Sequence, residues 1–339
     1  MSTKTITTSL LRPYVTPIPA SCLLCQWRTF STTHHRLAEP ASEKTDKKPS
    51  KTPIQNYKAA APKVRPLEFA PRAYGQRVRE FTPTVLPRPI GLDRPPKATD
   101  NTGFDARSLK QRRDDFVDYD KHLKRREELK SQMSRPYFRD WSNLNLHKGK
   151  TFIAPPRPFK HDKSLYFPNF YGGTLQHPSK PSSTTPVLQG KASVVAIFST
   201  GWAERQVMSF IAEDKNREMH KILEEYKGQA QLVRINIEDQ SWLRYWFLRL
   251  CAPLIRRNFK KENWTKYFLV KSGITDELRE GIGALNSKVG YVYLVDGDCK
   301  LRWAGSGPAQ PEELQSLAKS LARLIDEKKN NVWSGEMLR

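Results

Sequence analysis

Five consecutive apolar residues, Val194-Val195-Ala196-Ile197-Phe198, constrain this chain more than any other feature. A strand that is apolar at every position, rather than alternately, has both faces buried and sits inside a sheet covered on two sides. The residues after it supply helical cover and further strands. A turn at Thr200-Gly201 leads to a helix expected over 203–226, with Val207, Phe210, Ile211, Met219, Ile222, Leu223 and Tyr226 at spacings of three and four. Its middle, Asp214 to Glu218, is polar, and Gly228 is placed to terminate it. Gln231 to Ile237 read as a second strand. A helix over 241–256 follows, then a less regular stretch to about 288. Tyr291 to Val295 form a third strand, Asp296-Gly297-Asp298 a hairpin turn, and Leu301 to Ala304 a fourth strand. Pro311 at the first helical position, with Glu312 and Glu313 in the first turn, opens a last helix. Leu314, Leu317, Ala318, Leu321, Leu324 and Ile325 give that helix one apolar face, and Lys328 and Lys329 suit its end.

The order strand, helix, strand, helix, strand, strand, helix is that of thioredoxin: a parallel βαβ unit, then an antiparallel hairpin and a helix. The fold class expected is α/β, a thioredoxin-like domain with a central mixed sheet and flanking helices, occupying 148–330 with a tail at 331–339.

The N-terminal third reads differently. Of the 25 prolines, 14 lie in residues 1–104. Residues 1–38 contain no Asp or Glu and carry Lys4, Arg12, Arg28 and Arg36 among many Ser and Thr. That composition is a mitochondrial transit peptide, with Arg28-Thr29-Phe30-Ser31 resembling a matrix-peptidase site, so 1–30 is the expected address. Cys22 and Cys25 form a CxxC that leaves with it, and His34-His35 have no ligand partners nearby in sequence. Residues 31–104 read as a disordered, basic, Pro-rich linker. Residues 105–147 are a charged helix, over 105–133 and ended by Pro136, with its connector. Leu165 to Leu175, aromatics broken by Pro168 and closed by Gly172-Gly173, read as an extended collar or hairpin against the core.

The net charge of +23 favours anionic partners: nucleic acid, anionic lipid or an acidic protein surface. The longest apolar candidate, Trp242 to Ile255, contains Arg244 and Arg249 and as a helix reaches only about 21 Å, too short to span a bilayer.

Several segments together carry a family resemblance. Tyr166-Phe167-Pro168-Asn169-Phe170, Gly173-Thr174-Leu175 and Leu188-Gln189-Gly190-Lys191 look like the opening of peroxiredoxin-like proteins. More specifically, residues 148–325 resemble the mitochondrial ATP synthase assembly factors of fungi and plants. The segments concerned are Gly149 to Pro156, Tyr166 to Leu175, Phe198 to Gln206, Gly290 to Asp296 and Leu301 to Gly305. The resemblance implies a protein that helps newly made subunit 6 (subunit a) join the membrane sector, peripheral to the inner membrane on the matrix side and without a cofactor.

Thiol enzymes of this fold place a cysteine at the helix start after the first central strand, where amides and helix dipole lower its pKa. That place here reads Thr200-Gly201-Trp202-Ala203, and no cysteine lies between 26 and 250. Thiol and copper-carrier chemistry are thereby excluded at this position, and Cys251 and Cys299 read as packing residues. No His–carboxylate spacing suggests a metal, and Gly281-Ile282-Gly283 lacks the rest of a phosphate loop. No catalytic residue is assigned. Trp202 has two readings: cover for the strand end, or part of a binding surface that replaced a redox site. The helix over 241–256 has two as well. Leu243, Phe247, Leu250 and Leu254 form the stripe expected to face the core. Trp242, Tyr245 and Trp246 widen the arc toward a second face for an apolar client or a membrane, with Arg244, Arg249, Arg256 and Arg257 placed for anionic headgroups. The candidate client or membrane contact is therefore Trp202, Trp242, Arg244, Tyr245, Trp246 and Arg249. The expected function is a non-enzymatic assembly factor that binds subunit 6 and membrane-sector intermediates. The alternative is a mitochondrial ribosome- or RNA-associated protein, which the charge fits but for which the folded half offers no recognition motif.

Overall fold

A computed structural model describes residues 82–330 and Trp333, apart from 106, 135–139, 142, 145–148 and 240. The expected transit peptide to Phe30, the Cys22–Cys25 motif, His34-His35, the linker as far as 81 and the helix-ending Pro136 lie outside the described residues. The elements run α1 (Leu109–Val117), α2 (Tyr119–Ser134), β1 (Tyr171–Thr174), β2 (Pro181–Ser183), α3 (Thr185–Leu188), β3 (Ala192–Phe198), α4 (Gly201–Ile211) and α5 (Arg217–Glu225). They continue with β4 (Ala230–Ile237), α6 (Trp242–Leu250), α7 (Ala252–Arg256), β5 (Tyr267–Val270), α8 (Asp276–Gly281), β6 (Tyr291–Val295), β7 (Leu301–Ser306) and α9 (Pro311–Lys329).

These strands form one sheet in the order β2-β1-β5-β4-β3-β6-β7. β3 is central and buried at all seven positions, which is what its unbroken apolar run requires. It pairs parallel with β4 and antiparallel with β6, while β6 and β7 form the expected hairpin. This β4-β3-β6-β7 core, flanked by α4 and α9, is the thioredoxin-like arrangement, with β5, β1 and β2 extending the sheet beyond β4.

Alternate residues of β3 enter two different cores. Val194, Ala196 and Phe198 join Val207 and Phe210 of α4 and Leu317, Leu321 and Leu324 of α9. Val195 and Ile197 face Phe152, Phe167, Phe170 and Leu278, together with Leu86 and Ile90. The second face is thus covered largely by irregular chain. That corrects the reading of 31–104 as linker throughout. Leu86 and Ile90 are buried, the Leu86 amide donates to the Ile153 carbonyl at 3.0 Å, and Leu92 and Tyr166 exchange backbone bonds at 2.8 Å. The tail also contributes, since Trp333 is buried and donates to the Leu324 carbonyl.

Three expected helices are each divided in two. The charged helix breaks at Asp118, whose carboxylate accepts the Asp120 amide at 3.1 Å and so starts a new helix. The 203–226 helix stops at Ile211 and restarts at Arg217 under an Asn216 cap, which accepts the Met219 amide at 3.1 Å. The polar middle was therefore the break itself. The 241–256 helix divides at Cys251 because Pro253 has no amide to offer the Arg249 carbonyl. The stretch to 288, expected to be irregular, contains β5 and α8; β5 has only four residues and is a strand because β4 and β1 pair with its two edges. The collar closes as the antiparallel pair β1–β2.

Candidate functional site

β3 and β4 run parallel, so the segments leaving their C-terminal ends start from one edge of the sheet. After β3, Thr200 caps α4 by accepting the Ala203 amide at 3.1 Å. A side chain built on Gly201 would meet no atom within 4 Å, so the turn is open. Trp202 is 38% exposed and its ring rests against Gly149, where even a methyl group would come within 2.3 Å of it. Gln206, one turn further, accepts the Gly290 amide at 2.9 Å and ties α4 to the start of β6. The position that carries a thiol in redox proteins of this fold therefore holds an accessible tryptophan on a capped helix start.

After β4, the chain turns through a group of charges, some buried and some at the surface. The Glu238 carboxylate, 4% exposed, lies 3.2 Å from the Arg244 guanidinium. Asp239 pairs with Arg279 at 2.5 Å, and Asp140 accepts the Ser287 hydroxyl at 2.6 Å. Burial pushes the Lys288 ammonium pKa down, opposed by Asp140 and Glu238, while Trp141 lies 5.8 Å from it. The cavity beneath, lined by Phe170, Ile197, Leu278 and Tyr291 among others, has 20 Å³, room for about one water and not for an organic substrate. A wider, shallow cleft of 470 Å³ lies elsewhere, between Ile153, Pro156 and the first turns of α9.

The helix pair α6–α7 overturns one expectation. Leu243, Phe247, Leu250 and Leu254, expected to face the core, are exposed; with Trp242 and Trp246 they make six apolar side chains at 54–64% exposure. The contacts inward come from the opposite side. Tyr245 and Ile255 pack against the core and Ala252 is fully buried in it. The stripe was legible but its direction was not, because periodicity locates a face without saying which neighbour covers it. Tyr245 is half-buried, burial raises its phenol pKa, and Lys271 sits 5.8 Å over its ring. Two expected headgroup contacts have internal work. Arg244 pairs with Glu238, and Arg256 donates to the Leu175 and Gln176 carbonyls at 2.6 and 3.2 Å, holding α7 to the sheet. Arg249 is half-buried and Arg257 exposed, both on the same segment. Of the expected contact residues, Trp242 and Trp246 lie on the exposed face of α6, with Arg244 and Arg249 on the same helix, while Tyr245, expected beside the two tryptophans, is turned toward the core instead; Trp202 stands at the end of the neighbouring strand.

Cys299 is buried in the β6–β7 turn, and its thiol is pushed up to about 12 by burial, with Asp296 and Asp298 adding to the effect. Cys251 is half-buried at the α6–α7 junction. Among the described residues no group of three or more His, Cys, Asp or Glu is placed to hold a metal ion.

The sequence model of the ATP10 protein family matches residues 74–324. The mitochondrial ATPase complex subunit ATP10 of Saccharomyces cerevisiae is 30% identical over 254 residues, covering 73% of this chain and 88% of that one. Its counterpart in Candida glabrata is 28% identical over 253 residues, covering 74% and 88%. A secreted thiol-disulfide isomerase from Corynebacterium glutamicum aligns with 52% of this chain and 93% of its own at 12% identity and a TM-score of 0.36, a likeness too loose to say anything of function. The family match begins at 74, ahead of the buried Leu86 and Ile90, and runs into the last helix; this chain belongs to the ATP10 family.

Proposed function

We propose that this protein is a non-catalytic assembly factor of the mitochondrial F-type ATP synthase that binds newly made subunit 6 and promotes its entry into the membrane sector. It works peripherally on the matrix side of the inner membrane. The observation that carries this reading is the exposed apolar face of α6–α7, together with the exposed Trp202 that stands in the thiol's place. A helper for a very apolar membrane protein needs such a surface, and patches of this kind mark interaction sites. The reading is supported by relatives named as mitochondrial ATPase complex subunits. Among the described residues no helix is long and apolar enough to cross a membrane, in keeping with peripheral placement.

The test is to isolate the protein from mitochondria after pulse-labelling of organellar translation and to identify the product that accompanies it. Subunit 6 is the expected product, and Trp202→Ser is expected to reduce its recovery at unchanged protein abundance. Recovery of ribosomal particles or RNA in its place would favour the RNA-associated alternative and sink this one.

A further inference from the structure

The exposed face of α6–α7 has a geometry that selects among apolar partners. At about 100° per residue along α6, Trp242, Leu243, Trp246, Phe247 and Leu250 fall within an arc of about 140°, and Leu254 of α7 is exposed as well. Tyr245 falls on the opposite side of α6, consistent with its packing, and Ala252 and Ile255 seat α7 in the core. Arg244 and Arg249 flank the apolar arc, one on each side. From 241 to 261 the chain has six Lys or Arg and no Asp or Glu, although 35 acids occur overall. Tryptophan on the apolar face and basic residues at its margins are the marks of a helix that lies in the plane of a bilayer surface. The cationic margin lies where anionic headgroups would meet it, beside the apolar face that a client would also need.

We propose that the outer face of α6–α7 docks on an anionic phospholipid surface. The helix axis lies parallel to the membrane, the six apolar side chains enter the headgroup–acyl boundary, and Arg249 and Arg257 meet lipid phosphates. Arg256 keeps its bonds to the Leu175 and Gln176 carbonyls, so the docked helix stays fixed to the sheet and sets the orientation of the whole domain on the membrane. This deepens the peripheral placement proposed above and does not depend on the identity of the client.

The probe is a pair of vesicle preparations, phosphatidylcholine alone and phosphatidylcholine with cardiolipin, used with full-length-encoded protein purified from mitochondria. Wild type should float with the cardiolipin vesicles, and brominated acyl chains should quench its tryptophan emission. A variant with Trp246→Ser, Phe247→Ser and Leu250→Ser should melt like wild type and partition at least about tenfold more weakly. A second variant, Arg249→Glu with Arg257→Glu, retains the apolar face and should lose the preference for cardiolipin, as should wild type in high salt. Equal vesicle binding by the apolar variant and wild type would overturn the proposal. So would a dimer of wild type that the apolar variant abolishes, since the face would then belong to a second copy. Subunit 6 recovery, measured in parallel from detergent extracts, separates the two ideas: client recovered without vesicle binding defeats only the docking, and vesicle binding without client defeats only the assembly reading.

Discussion

The Lys150 ammonium donates to the Glu313 carboxylate at 2.7 Å, with both side chains at 8% exposure or less. The pair joins the chain that enters the domain to the first turn of α9. Glu313 also accepts the Ala154 amide at 2.8 Å and the Gln310 amide at 2.9 Å, so one carboxylate ties the 150–154 stretch to the capped start of α9. Removing one partner leaves the other charge buried and alone, a loss of about 3–5 kcal/mol. Lys150→Met is therefore expected to lower unfolding stability by about that amount, read by denaturant titration. A change below about 1 kcal/mol would mean that water reaches Glu313.

Burial separates the aromatic positions. Phe247→Ser, on the exposed face of α6, should change stability by no more than about 0.5 kcal/mol. Phe210→Ala, packed edge-on to Trp303 at 6.2 Å between ring centres, should cost about 3–5 kcal/mol. Comparable losses in the two variants would put α6 against the core.

Cys251 and Cys299, the free cysteines among the described residues, should be dispensable. Cys251→Ala with Cys299→Ala is expected to leave ATP synthase assembly intact at a packing cost of about 1–2 kcal/mol. In the native protein Cys299 should resist thiol reagents at neutral pH, because a thiol pushed up to about 12 offers almost no thiolate there. Fast native labelling at Cys299, or lost assembly at normal abundance, would contradict this.

Alkaline unfolding should be coupled to buried phenols. Burial pushes Tyr267 up to about 12, and raises Tyr291 and Tyr293 as well. A phenol whose folded pKa is raised contributes stability that is complete below its unfolded value near 10 and is lost as pH rises through the folded value. Phenolate absorbance should therefore show one set of tyrosines titrating near their ordinary range and a second set only as the fold opens. Tyr267→Phe should remove one phenolate from the second set. Titration of every tyrosine in a single ordinary step would defeat the prediction.

Much of this fold is legible in the amino-acid sequence. The unbroken run Val194 to Phe198 demanded a central strand, the 3.6-residue pattern from Leu314 to Ile325 demanded a helix, and Thr200-Gly201-Trp202 marked the helix start after that strand as one without a cysteine. These depend on local pattern or on residue identity, and a chain carries both in its order. The breaks at Asp118 and Pro253 were also in the sequence as cap and ring chemistry, although the surrounding periodicity obscured them. Only tertiary structure could decide which way α6 faces. Leu243, Phe247 and Leu250 make as good a core stripe as any, but that stripe becomes a surface because Tyr245, Ala252 and Ile255 take the seat against the sheet. The same holds for β5, whose four residues became a strand only when β4 and β1 offered their edges, and for Leu86 and Ile90, whose apolar side chains found cover far along the chain. Periodicity encodes a face, while the neighbour that buries it or leaves it open comes from elsewhere in the fold.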